Sequence, residues 1–274
     1  MNDEKQNLVT YHRDGFIGSI TLNRPDKRNA LNPAVWRALG QAVQEAAADG
    51  EARVILLQGK GKSFCAGLDL SPDNELFSLV GDKASASQKT AFFREVRLAQ
   101  KVYTDLERLN RPVIAVVQKH CLGAGLEMAL CADIMLCTAD AVFALPEAKL
   151  GFITDVGGLQ RLAKFVGKPF VREIAFRGHR FDAQWAKEIN LVNRLYEDEA
   201  ALQKGALEIA QEIADNPPLA VQGAKEVLLY DEDASLAESL EYNAARSSMI
   251  VPSEDLGEAI NSYLEKRKGD FKGK

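Results

Sequence analysis

Apolar runs alternating with helical periodicity up to about residue 158, then helical periodicity alone, predict an α/β fold with a C-terminal helical region. Three runs carry that reading: VILLQG at 54–59, PVIAVV at 112–117 and IMLCTA at 134–139. Each is short, continuously apolar and set off by turn residues, the pattern of strands buried on both faces. Helical segments separate them, which is the grammar of βαβ units. No internal repeat goes beyond that alternation.

The elements follow in order. LVTYHRDGFIGSITLN holds two β-rich runs around Asp14-Gly15, a hairpin signal. The polar loop RPDKRNAL leads to Asn32, placed to cap a helix with Pro33 at its first position. Val35, Leu39 and Val43 give that helix its apolar face, and Gly50 closes it. Beyond the 54–59 strand lies a small-residue loop, KGKSFCAGLDL, and residues 71–88 read as a polar surface loop. Phe92, Val96, Ala99, Tyr103 and Leu106 then repeat at helical spacing until Arg111-Pro112. GAGLEMALCAD reads as a helix opening on glycines. After about residue 158 no strand is expected: LQRLAKFVG, KPFVREIAFRG, DAQWAKEIN and everything past Asp198 read as helices, with Asn216-Pro217-Pro218 starting a last arm. The expected division is 1–198 for the core and 199–274 for the helical region.

Composition narrows the function. The 274 residues are 46% hydrophobic and 27% charged, an ordinary globular balance. A net charge of -5 argues against binding nucleic acid, which needs a phosphate-neutralising surface. No apolar run approaches the roughly 20 residues of a membrane span. The start MNDEKQN has no basic or apolar leader, so a cytoplasmic location is expected. Cys65, Cys121, Cys131 and Cys137 lack CxxC spacing and read as reduced thiols. The three histidines have no ligand spacing, so no metal site is expected.

Familiar glycine motifs fail on inspection. GKGKS at 59–63 would need its first P-loop glycine at Leu56, and Gly123 with Gly125 lacks the third glycine of a dinucleotide fingerprint. No GxSxG is present, so there is no nucleophile elbow. More pointed are the loops 63–68 and 121–125, which follow neighbouring strands and are rich in small residues. One N–H from each could hold a thioester oxygen, at about 3 kcal/mol per well-placed donor. Glu127, Glu147 and Asp155 stand in otherwise apolar surroundings. Acids are rarely buried without a partner or a task, and a shared cleft would raise at least one pKa toward neutrality. For Asp155 a helix N-cap is the competing reading.

NRPDKRNALN, SFCAGLDL, RPVIAVVQKHCLGAGLEMALCADI, FALPEAKLGF and GGLQRL, in this order, resemble the crotonase (enoyl-CoA hydratase/isomerase) superfamily. The resemblance spans essentially the whole chain. It implies a crotonase-like spiral of repeated ββα units with a C-terminal helical region, assembled as a homotrimer or a dimer of trimers. It implies an acyl-CoA substrate, with coenzyme A part of that substrate and no separate cofactor. By motif position the oxyanion hole is the N–H groups of Leu68 and Ala124, beside Gly67 and Gly123. Lys27, Arg28 and Ala30 fall where the family's loop contacts coenzyme A, and Ala66 and Asp69 flank the thioester and adenine end. Phe271 and the lysines of EKRKGDFKGK match a segment that approaches the coenzyme A phosphates in relatives.

Within the family, TDVGGLQRL and PPLAVQGAKEVLLYDEDASLAESLEY look more like Δ3,5-Δ2,4-dienoyl-CoA isomerases than ordinary hydratases. Asp155 falls on the extra acid of those isomerases, where it pairs with the position of Glu147. Glu127 departs from that pattern, because the isomerases typically carry aspartate there. The longer side chain restores the Glu127/Glu147 pair of a 2-trans-enoyl-CoA hydratase. Dienoyl-CoA isomerisation is the first reading and hydration the second. A non-catalytic acyl-CoA or RNA-binding protein on this scaffold is the reading from another class.

Overall fold

A computed structural model describes residues 7–81 and 83–274, so most of the MNDEKQN start lies outside the described residues. The chain runs β1 (Val9–Asp14), β2 (Ile17–Leu22), α1 (Pro33–Ala48), β3 (Val54–Gly59), α2 (Ala86–Glu107), β4 (Val113–Val117), β5 (His120–Leu122) and α3 (Ala124–Ala129). It continues through β6 (Ile134–Thr138), β7 (Val142–Ala144), α4 (Glu147–Leu150), α5 (Gly158–Phe165), α6 (Lys168–Arg177), β8 (Phe181–Asp182), α7 (Ala183–Glu188) and β9 (Arg194–Tyr196). Four helices close it: α8 (Glu199–Ala214), α9 (Pro218–Asp231), α10 (Leu236–Ile250) and α11 (Glu254–Glu265).

The strands form two sheets, one in the order β1-β2-β3-β4-β6-β9 and one in the order β5-β7-β8. In the large sheet only β1 and β2 pair antiparallel; β2 through β9 are parallel. The continuous apolar runs of β3 and β4 are explained by their two faces. Ile55, Leu57, Val113, Ala115 and Val117 join the main core with α1, α2 and α3. Their alternates Val54, Leu56, Ile114 and Val116 pack with Leu202, Ala206 and Ala210 of α8. The segment expected as a helical region from residue 199 is therefore joined to the core through its first helix.

Most local signals hold. The Asn32 side chain accepts from the Val35 N–H, with Pro33 next, a cap worth about 1 kcal/mol. Four expectations need correction. The hairpin turns on Gly15 and Phe16, since Asp14 pairs with Ile17; Gly15 takes φ +55°. α2 begins at Ala86, inside the stretch read as a loop, because Ser85 and Gln88 form a reciprocal capping box. A 3-10 turn, Glu75–Leu79, occupies more of that stretch. Strands also continue beyond residue 158, where β8 and β9 complete the edges of both sheets. At two and three residues they are too short to show an alternation.

Candidate active site

Two backbone loops meet at the top of the large sheet. The Cys65 N–H donates to the His120 carbonyl at 2.9 Å, and the Leu122 N–H donates to the Cys65 carbonyl at 3.1 Å. Gly67 takes φ +87°, and a Cβ there would lie 2.5 Å from the Leu122 carbonyl oxygen, so only glycine allows the loops to approach this closely. Leu68 bridges to Leu31, whose N–H and carbonyl are taken by Gly67 and Asp69. That register turns the Leu68 N–H away from the bridge. Ala124 is the first residue of α3, where an N–H has no intrahelical acceptor. Its carbonyl is held from behind by the buried Tyr103 hydroxyl, which donates at 2.7 Å.

The three acids converge on this frame. Glu127 is 2% exposed and accepts the Gly158 N–H at 2.6 Å. Burial, with smaller contributions from Glu147 and Asp155, pushes its carboxyl up to about 8 against the pull of that N–H. Gly158 packs so closely that a Cβ would meet Glu127 Cγ at 2.5 Å. Glu147 opens α4, is 4% exposed and accepts from the Thr154 hydroxyl at 3.1 Å. Its Oε1 lies 2.7 Å from where a Cβ on Gly123 would sit, which puts the carboxyl against the oxyanion loop. Burial raises the Glu147 carboxyl above its usual range and Asp155 adds to the shift. Asp155 is raised by burial too. It is part-buried, and its backbone carbonyl accepts from the Gln100 side chain at 2.5 Å.

Asp155 also lines a cavity of about 450 Å³, whose other walls include Trp36, Leu68, Leu76, Phe92, Val96, Ala99 and Ile153. The lining is apolar apart from Asp155 and Glu95. The site thus runs from two backbone donors, past Glu147, into an apolar chamber with an acid on its wall.

The remaining expected residues divide. Lys27 and Arg28 are exposed on a loop fixed from beneath. Arg28 and Asn29 take left-handed backbone, and the buried Asn29 amide donates to the carbonyls of Lys60, Ser63 and Phe64 while accepting from the Arg24 N–H. Ala30 is buried, and the Ala66 N–H donates to the Arg28 carbonyl at 2.9 Å, which ties the two loops together. Asp69 is committed internally. Burial opposes its charge, but hydrogen bonds from Ser71 and Arg24 outweigh that and hold it at about 2, with Arg24 at 2.6 Å. Arg28 faces a second cavity of about 800 Å³ shared with Lys62, Ser63, Lys119 and His120.

Phe271 is the exception. Its carbonyl accepts from Arg53, just before β3, and the next two N–H groups bind Asp255. The oxyanion loop follows β3, so the strand of about 20 Å lies between them. Within one chain, Arg53 and Asp255 hold the tail's backbone at that end of β3, while Lys268 pairs with Asp215 and Arg267 with Glu258. Sequence reasoning also missed Thr154, Gly158, Tyr103 and Glu95. Tyr103 was visible only as one more residue of an apolar stripe. Among the described residues no group of three or more His, Cys, Asp or Glu could hold a metal ion, and no helix is long and apolar enough to cross a membrane.

Known proteins match this chain along nearly its whole length. Residues 12–274 match the model of the enoyl-CoA hydratase/isomerase family. The mitochondrial Delta(3,5)-Delta(2,4)-dienoyl-CoA isomerase of Mus musculus is 36% identical over 251 residues, 90% of this chain and 76% of that protein. The 2,3-dehydroadipyl-CoA hydratase of Escherichia coli (strain K12) is 34% identical over 255 residues, 93% of this chain and 94% of that protein. The solved enoyl-CoA hydratase from Bacillus anthracis superposes with a TM-score of 0.88 at 29% identity, covering 97% of this chain and 100% of that one. With its stitched glycine loops and converging acids on the crotonase fold, the chain belongs to the enoyl-CoA hydratase/isomerase family and is an enzyme of it.

Proposed function

We propose that this enzyme converts a 3,5-dienoyl-CoA to the 2,4-dienoyl-CoA by moving a proton along the acyl chain between two carboxyls. The observation that carries the reading is the position of Asp155, an acid on the wall of the apolar cavity, beyond the Glu147 carboxyl at the oxyanion end. The thioester oxygen sits between the N–H groups of Leu68 and Ala124, which strengthen as negative charge develops. Glu147, next to that oxygen's seat, takes a proton from C2. The resulting enolate spreads over the diene, and Asp155 delivers a proton to C6. The C2–H bond breaks and a C6–H bond forms, the double bonds shift from 3,5 to 2,4, and no electron leaves the substrate. The proton passes back from Glu147 to Asp155 before the next turnover. Burial raises both carboxyls, and the Asp155 charge adds to the shift at Glu147, so each holds its proton more readily than a surface acid would.

Hydration of a 2-trans-enoyl-CoA is the second reading. It is favoured by Glu127, a glutamate close enough to Glu147 for their charges to interact. A water held between the two would add across C2 and C3 on the same oxyanion frame. The E. coli and Mus musculus relatives stand on opposite sides of this choice.

Ultraviolet absorbance separates the two. The wild type is expected to build the conjugated 2,4-dienoyl band from a 3,5-dienoyl-CoA, and Asp155→Asn to lose that activity by about 10²-fold or more while sparing any hydration. Rapid loss of the 2-enoyl band with no action on the diene would establish hydration instead.

The same reading includes coenzyme A held near Lys27, Arg28, Ala30 and Ala66 as part of the substrate, and no separate cofactor. It also includes assembly as a homotrimer or dimer of trimers, supported by the exposed Leu236, Leu240, Met249 and Tyr263 on the last two helices. The 1–198 core would then carry the chemistry and the 199–274 helices the assembly. A cytoplasmic location belongs to the reading as well, although the Mus musculus relative is named as mitochondrial.

A further inference from the structure

Helix α2 spans the acyl cavity from end to end. Tyr103 holds the Ala124 carbonyl at one end, Ala99 and Val96 line the wall, and Phe92 and Glu95 stand toward the other. Eight residues separate Tyr103 from Glu95, about 12 Å along the axis at 1.5 Å per residue. Glu95 thus stands along the path of a medium-length acyl chain, far from the thioester. A carboxylate is an unusual lining for an otherwise apolar chamber. Its Oε1 accepts from Arg37 at 2.6 Å, whereas Oε2 is buried with no partner among the described residues. Arg37 itself is half-exposed and does not line the cavity, so the charge an arriving chain meets first is the carboxylate.

We propose that Glu95 determines specificity by reading the distal end of the acyl chain. It turns away chains that end in a carboxylate and accepts those that end in a methyl group or a hydroxyl. A second carboxylate brought against Glu95 would share its dry surroundings without a cation between them, and such repulsion is how a pocket rejects a near-identical ligand. A hydroxyl has a proton to offer Oε2 and escapes that penalty. The proposal rests on the acyl-CoA reading above but not on which proton transfer follows.

The test is equilibrium binding of unreactive saturated ligands: decanoyl-CoA and its ω-hydroxy and ω-carboxy analogues, measured by calorimetry on the wild type, Glu95→Gln and Arg37→Ala. The wild type is expected to bind the ω-carboxy analogue at least about tenfold more weakly than the other two. Glu95→Gln should bring that gap within about threefold, and Arg37→Ala should widen it by exposing the full carboxylate charge. Equal binding of all three ligands by the wild type, or a gap that Glu95→Gln leaves intact, would overturn the proposal. If none of the three bound better than free coenzyme A, the acyl-CoA reading itself would fall, and the proposal with it.

Discussion

The two glycine loops and the apolar chamber lie side by side and are built in opposite ways. Residues 65–68 and 121–124 are stitched backbone to backbone, with glycine wherever a Cβ would strike a neighbour. The chamber is walled by side chains from α1, α2, the 3-10 turn and the 152–156 segment, and only Asp155 and Glu95 among them are charged. The part common to thioester chemistry is thus independent of side-chain identity, while the part that selects a substrate and a proton route depends on a few replaceable groups. This division explains how one scaffold matches both an isomerase and a hydratase at similar identity.

The comparison can be broken first at the frame. Gly123→Ala forces a Cβ to within 2.7 Å of Glu147 Oε1 and into a backbone region that side chains rarely adopt, with φ +50°. It is expected to cost about 10²–10³-fold in kcat on any substrate and to lower the melting temperature by a few degrees through that strain. A loss confined to one substrate class would contradict the idea of a shared frame. A subtler lever is Tyr103, whose hydroxyl donates to the Ala124 carbonyl at 2.7 Å and accepts from the Trp36 indole at 3.4 Å. Tyr103→Phe should lower kcat by about tenfold with a smaller change in KM, since the bond to the frame is the shorter of the two it removes. A change in KM alone would make Tyr103 part of the chamber.

Another effect is on stability rather than on rate. The Glu127 carboxyl titrates near its ordinary 4.5 when unfolded and is pushed up to about 8 when folded. Between those values the unfolded chain has released a proton that the folded chain keeps, so the wild type loses stability as pH rises through that window. Glu127→Gln retains an acceptor for the Gly158 N–H and removes the titration. It should be about as stable as the wild type at pH 4.5 and gain on the order of 2 kcal/mol by pH 8, read by urea denaturation. A constant difference across the range would place the effect in packing instead.

Much of this was legible in the sequence, for identifiable reasons. Glu127 and Glu147 stood out because an acid amid apolar residues is conspicuous, and both are buried as that contrast implies. The strands at 54–59 and 113–117 were readable because two-sided burial leaves a continuous apolar run. The small sheet was not, because β5, β7 and β8 have two or three residues each and owe their existence to partners distant in sequence. Glu95 carried no signal, because a charged residue on a helix is ordinary until the chamber beside it is known. The docking of the tail was not legible, because Arg53 and Asp255 hold its backbone from positions far away in sequence.

Asn29 has a bearing on how quickly a ligand can be captured. One buried amide fastens the loop under Lys27 and Arg28 to three carbonyls, so the main chain there is already ordered before anything arrives. If the substrate docks there as proposed, association needs only the settling of two long side chains, with no loop folding as a separate slow step. An encounter with the exposed cations of that loop can therefore mature into a seated complex at a rate set by diffusion and orientation.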